Sequence, residues 1–301
     1  MTSKLFMIAL VAAWAGCNNS GAVGTPDPSG GGGAGGLILK LDGSVGGATS
    51  GTGGIATSTT PGQLTMLIRD FKFYDANDAT TDPDFENVPK TDQSGNPSTN
   101  YLGPWDDKDI VADQLGSDHK PVYKNPSGTT LASHGQAAFD KWYRDVDGTN
   151  IPQAIPLTLN KNADGTYSYD SLSAGPPLSP GGGFFPIDDG TTYATKFGNQ
   201  REPHNYSFTV EIHTVFTYQG GETFNFSGDD DVFVYIDNQL VINLGGVHGR
   251  EPASVALDSL GLTQGTSYPL DFFSAERHMT QSNLLITTSL GLSTNPDIPI
   301  N

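Results

Sequence analysis

The apolar positions of this chain fall into short runs separated by turn residues, and over most of those runs the period is two. "LTMLIRDFKFYD" (64–75) alternates over part of its length and reads as a strand. In the C-terminal third strand follows strand: "NYSFTVEIHTVFTY" (205–218), "ETFNFSG" (222–228), "VFVYI" (232–236), "LVINL" (240–244), "SYPLDFFSA" (267–275) and "NLLITTSL" (283–290). Gln219-Gly220-Gly221, Asp237-Asn238 and Gly265 supply the turns between them. This spacing makes a sandwich or barrel, and no βαβ alternation points to a nucleotide fold.

A helix is predicted at one place, "SHGQAAFDKWYRDV" (133–146). There Ala138, Phe139, Trp142 and Tyr143 share a face behind the cap candidate Ser133, and the expected task is to cover one end of the sheet. "PDFENV" (83–88) and the polar run 92–99 read as a long surface excursion. Asn160, Asn162, Asp164 and Gly165 sit close to the opening of an EF-hand loop, but its twelfth position is Ser171. Asp164-Gly165 therefore reads as a hairpin turn.

Composition agrees with an all-β class. The 301 residues include 38 glycines and 20 prolines, many turns and few helices, and the length permits a core without disulfides. Charge narrows the partners: 33 acidic against 15 basic residues give a net charge of -18, which repels phosphate backbones and excludes nucleic acid as an expected partner. Surplus carboxylates suit a hard cation such as Ca²⁺, and they equally suit a solubilised secreted surface.

The N-terminus predicts export. Lys4 precedes an apolar run, Leu5 to Ala13, that is too short to span a bilayer, and Ala15-Gly16 is a small-residue cleavage site, so residues 1–16 read as a signal peptide. Cys17, the single cysteine, follows directly. Trp-Ala-Gly-Cys resembles a bacterial lipobox, with Trp14 where such motifs usually carry Leu, and it implies lipidation of Cys17. Asn18, rather than Asp, then favours the outer membrane or cell surface, with ordinary secretion as the alternative. A lipid anchor would be the only membrane contact.

Residues 17–62 are rich in Gly, Ser and Thr and read as a tether of roughly 45 residues spanning roughly 35–40 Å. "LILKL" (37–41) interrupts it as a possible docking strand. The expected organisation is a signal peptide (1–16), a linker (17–62), a folded domain (63–295) and a short tail (296–301).

"FTYQGGETFNFSGDDDVFVYIDNQLVINLGGVHG" (216–249), followed by "LGLTQGTSYPLDFFSAERHMTQSNLLITTSL" (260–290), resembles the fibro-slime domain, a branch of the PA14-like β-barrel modules of surface proteins. "IRDF", "PDFENV", "FDKWYRDVDGTN" and "FFPID" precede it in the family's order, so the likeness extends over nearly all of 63–292. It implies a PA14-like jelly-roll β-sandwich or barrel with long loops. Some PA14-like members are lectins in which two aspartates joined by a cis peptide hold Ca²⁺, and the ion binds vicinal sugar hydroxyls. Asp229 and Asp230 occupy the place of that pair, and Asp231 stands where many members have a small residue.

The residues themselves bear on this. Adjacent carboxylates at a low-dielectric strand mouth repel, and a divalent ion that takes six to eight oxygens relieves the repulsion. The plainer alternative is a solvated acidic turn that discourages edge-to-edge aggregation. In the late loop "SAERHMTQSN" (274–283), the likeness makes Asn283 the candidate side-chain ligand. Glu276, Arg277 and His278 are further site candidates, with a Glu276–Arg277 ion pair bracing the barrel as the other reading. His248 follows a strand beside glycines, and Trp105, Trp142 and Tyr143 are able to stack on sugars. A structural role is the expected one for all four, since the six histidines show no ligand spacing.

No nucleophile elbow, zincin helix or phosphate loop occurs, so no enzyme is expected. Glycoside hydrolysis needs only two placed carboxylates and stays as a minor alternative. The reading is a surface or secreted adhesion module that binds a glycan or matrix polysaccharide through Ca²⁺. Its rival is a structural matrix domain in which Ca²⁺ only stabilises the fold and surface proteins are the partners.

Overall fold

The computed structural model describes residues 59–85, 105–200, 202–279 and 281–298. The signal peptide, Cys17, the linker up to residue 58 with "LILKL", the polar run 92–99 and the Trp105 side chain lie outside the described residues.

The strands are β1 (Gln63–Phe71), β2 (Trp105–Asp106), β3 (Asn150–Thr158), β4 (Asn160–Lys161), β5 (Tyr167–Asp170), β6 (Phe208–Thr217) and β7 (Thr223–Gly228). They continue with β8 (Asp231–Ile236), β9 (Gln239–Leu244), β10 (Gly246–Val247), β11 (Glu251–Ala256), β12 (Ser267–Glu276), β13 (Leu284–Thr288) and β14 (Ser293–Thr294). A seven-stranded sheet runs β3-β1-β6-β12-β8-β9 with β14 beside β6, and a five-stranded sheet runs β11-β7-β13-β5-β4. Every pairing in both is antiparallel. The expected all-β sandwich of antiparallel sheets is the architecture found.

The two sheets enclose the main core. Met66, Ile68, Val210, Ile212, Val232, Val234 and Phe272 from the larger sheet meet Phe224, Phe226, Leu284 and Ile286 from the smaller. The larger sheet buries its other face as well. Phe71, Phe233, Tyr235 and Phe273 pack there against Phe85, Ile110, Val111, Phe139, Trp142 and Tyr143, which belong to the segments between β1 and β3. Strand alternation sends Val232, Val234 and Ile236 to one core and Phe233 and Tyr235 to the other. That is why "VFVYI" is apolar at every position.

The outer layer corrects the helix expectation. Helix α1 spans only Gln136–Phe139; its N-cap is Gly135 at φ 106, with no side-chain cap bond. The Ser133 hydroxyl instead donates to Asp84 Oδ2 at 3.2 Å, and Asn150 Nδ2 takes the carbonyls of Lys141 and Arg144 at 3.0 and 2.9 Å. Those carbonyls are satisfied without a further helical turn. The predicted apolar face survives, since Ala138, Phe139, Trp142 and Tyr143 are all buried, but it covers the outer face of the larger sheet and not its end.

Turn chemistry follows the sequence. Asp164-Gly165 closes the β4–β5 hairpin, with Gly165 at φ 91 and Asp164 Oδ1 accepting from Thr166 N at 3.0 Å. Asp237 and Asn238, at φ 50 and 64, form the two-residue turn between β8 and β9. At the sheet edges, β3 carries Pro152 and Pro156 and β11 carries Pro252, while β4 is only two residues long.

Candidate functional site

The chain passes from the smaller sheet to the larger between β7 and β8, through Asp229 and Asp230, whose peptide bond is cis. Gly228 stands just before them. A Cβ there would lie 2.5 Å from the Asn283 carbonyl oxygen, so only glycine lets the β12–β13 loop approach the turn.

That loop serves each aspartate separately. Asn283 donates its backbone N–H to Asp229 Oδ1 at 2.5 Å and its side-chain amide to Asp229 Oδ2 at 2.7 Å. The backbone N–H groups of Arg277 and His278 donate to Asp230 Oδ2 at 3.0 and 2.9 Å. Arg277 Nε donates to Asp231 Oδ2 at 2.7 Å, and Gly246 N donates to Asp231 Oδ1 at 2.6 Å.

The expected Glu276–Arg277 pair is therefore corrected. Side chains alternate along β12, and Arg277 takes Asp231, the first residue of β8, as its partner. Its Nη1 also donates to the carbonyls of Ala132 at 2.8 Å and Asp84 at 3.3 Å, and its guanidinium lies 4.5 Å from the Trp142 ring centroid. Trp142 and Tyr143, weighed as sugar-stacking groups, are wholly buried and belong to the outer core. His248 bonds the carbonyls of Gly249 and Leu244 at 2.8 and 3.1 Å.

Burial dominates the electrostatics. It raises the pKa of Asp229 and Asp231, and carries that of Asp230 to about 6 although His278 and Arg277 oppose the shift. Glu276 is displaced furthest: burial first, then the charges of Asp230 and Asp229, push its carboxyl well above the ordinary range. Neither Glu276 oxygen has a hydrogen-bond donor. Nearby Ser282 tempers that shift, but its hydroxyl donates to the Phe184 carbonyl at 2.8 Å.

These residues fit Ca²⁺ by donor chemistry: two adjacent carboxylates, an amide at Asn283 and an orphaned buried carboxylate are all hard oxygen donors. Among the described residues no group of three His, Cys, Asp or Glu side chains is arranged to hold an ion. Amide and backbone oxygens would have to complete the set.

Sequence reasoning named Arg277 but paired it with Glu276, and so missed its bond to Asp231. It also missed a buried network of Glu211, His213 and Asp271, although "VEIHTV" carries the signal: two ionisable residues two apart on one face of an otherwise apolar strand.

Residues 163–300 match the PA14 domain, a span that contains the whole candidate site. Among curated proteins, the chain is 43% identical over 192 residues to Protein psiD of Dictyostelium discoideum, covering 61% of this chain and 36% of that one. Protein psiN of the same organism is 34% identical over 253 residues, covering 75% and 30%. The chain spans between 18% and 36% of the length of the four relatives psiD, psiQ, psiR and psiC. Among solved structures, a PA14 sugar-binding domain from an RTX adhesin overlaps 31% of this chain and 56% of its own, at 14% identity and TM-score 0.24. The Epithelial Adhesin 6 A domain of Candida glabrata, solved with Galβ1-3GlcNAc, covers 80% and 83% at 15% identity and TM-score 0.27.

Proposed function

We propose that this protein is a cell-surface adhesion module, of the fibro-slime branch of PA14-like domains, that binds carbohydrate through Ca²⁺ held by Asp229, Asp230 and Asn283. One observation carries the reading: the β12–β13 loop brings a carboxylate pair and Asn283 together beside Glu276, which has no donor of its own. When bound, the ion would offer remaining coordination positions to vicinal sugar hydroxyls. The chain's own residues prepare the place. Asn283 fixes the Asp229 carboxylate, backbone N–H groups fix Asp230, and Arg277 neutralises Asp231. Export, with acylation at Cys17, completes the reading and is checked by the mass of the mature N-terminus.

A second reading has its own support. Both Asp229 oxygens already accept bonds from Asn283, so that carboxylate is satisfied by protein groups alone, as a structural matrix module would require. A glycan array run with Ca²⁺ and with EGTA, alongside melting curves in both buffers, separates the two. Sugar binding that disappears in EGTA supports the adhesion module. A Ca²⁺-raised melting temperature without sugar binding supports the structural one, and no response to Ca²⁺ in either assay removes the ion.

A further inference from the structure

Where the segment leaving β1 meets the stretch that follows α1, Lys141 Nζ stands 3.3 Å from Asp82 Oδ2. Asp82 is wholly buried and its Oδ2 makes no hydrogen bond, whereas Oδ1 accepts the backbone N–H of Asp84 at 2.9 Å. The Lys141 side chain is 27% exposed, so the amine reaches this carboxyl from the solvent side. Both ends are held through the backbone. Phe85 donates its N–H to the Asp82 carbonyl at 3.1 Å, Lys141 donates its own to the Ala138 carbonyl at 3.0 Å, and the Lys141 carbonyl accepts Asn150 Nδ2.

Three other lysine–carboxylate contacts occur among the described residues, and none has this character. Lys72–Asp78 and Lys124–Asp109 lie at the surface, where water competes for both partners. Lys120 meets a buried carboxylate, but against burial His213, Arg69 and Lys120 hold Glu211 ionised, with a pKa of about 2. An ionised carboxylate resists attack by an amine. Asp82 is the reverse case: burial first, then the charge of Asp84, lift its pKa to about 7 and favour the neutral acid beside Lys141.

We propose that Lys141 and Asp82 condense into an intramolecular amide, an isopeptide bond that staples the segment after β1 to the stretch after α1. Ammonium and carboxylate first redistribute their proton as amine and carboxylic acid. The Nζ lone pair then forms a bond to Cγ, the Cγ–Oδ2 bond breaks, and Oδ2 departs as water with the acid's proton and one from nitrogen. One ammonium and one carboxylate give one amide and one water, so no co-reactant is needed. Oδ1 remains as the amide oxygen, and the Asp84 N–H that already bonds it stabilises the charge it carries while the carbon is tetrahedral. Held contact takes the place of a high amine concentration. The product removes a buried acid with an unpaired oxygen and closes residues 83–140 into a covalent loop, which narrows the unfolded ensemble. Because the contact exists only in the folded chain, the step follows folding, and a titrating Asp82 belongs to the chain before it.

Intact mass spectrometry of the full chain, as purified and after about a week near pH 7, tests this. The parent should lose one water, about 18 Da, and a tryptic digest should contain a branched peptide joining 73–90 to 125–144. Lys141→Arg and Asp82→Ala should keep their full mass. A parent of unchanged mass, or a digest in which the two peptides stay separate, would overturn the bond. So would a loss of water that persists in Lys141→Arg, since succinimide formation at Asp147-Gly148 or Asp164-Gly165 sheds the same mass.

Discussion

Asp231 and Arg277 meet at 2.7 Å with neither side chain exposed to solvent, and their bond joins the start of β8 to the end of β12. Of three consecutive aspartates, the third is thus the partner of a buried cation. Breaking the pair from one side strands a charge in the interior. Arg277→Met should cost about 3–5 kcal/mol in urea unfolding, and adding Asp231→Leu should restore much of the loss because the orphaned carboxylate is removed. Arg277→Lys should fall between, keeping the charge but losing the guanidinium's reach to Ala132 and Asp84.

Gly228→Ala puts a methyl group against the Asn283 carbonyl, and the loop has to retreat. A destabilisation of about 1–3 kcal/mol is expected, in the range of an overpacked site. Amide shifts on NMR should concentrate at Asp229 and Asn283; shifts spread evenly over the domain would contradict the close approach.

Ion binding has its own signature. If Asp229 and Asp230 hold Ca²⁺, the ion at about 100 times its Kd stabilises the fold by about 2.7 kcal/mol. Asp230→Asn should abolish that increment in thermal melts while leaving the EGTA-treated protein folded. An undiminished increment in this variant would place the ion elsewhere.

In the chain before it links to Lys141, Asp82 supplies a pH test away from the candidate site. Burial, with the Asp84 charge beside it, lifts its pKa to about 7; Lys141 Nζ stands 3.3 Å from Oδ2, which makes no hydrogen bond. The folded state therefore keeps a proton that the unfolded chain releases near pH 4. This contribution favours folding below that point and is lost as pH rises through about 7. Asp82→Asn should match the parent near pH 4 and exceed its stability at pH 8, as read by denaturant midpoints.

Strand periodicity made the sheets legible, because alternation and turn residues are local properties. The continuous run "VFVYI" was legible as a strand, but its burial on both faces, and what lay against each, came only with the structure. The helix at 133–146 was over-read. Its apolar spacing is real, but Gly135 delays its start and Asn150, distant from that start, satisfies its later carbonyls. The likeness pointed to Asn283, which the structure brings to Asp229, whereas the choice of Asp231 over Glu276 as the partner of Arg277 depends on the opposite directions that Glu276, the last residue of β12, and Arg277, the next, take from the chain. The His213 network was missed because Asp271, Arg69 and Lys120 reach Glu211 and His213 from distant stretches of chain.

The prolines of β3 and β11 bear on how many copies could act together. A free strand edge lacking N–H donors makes a poor template for another molecule's strand. Pro152, Pro156 and Pro252 interrupt such edges here, and the two residues of β4 offer little to extend. A second copy would therefore find little on β3, β4 or β11 to which it could add a strand.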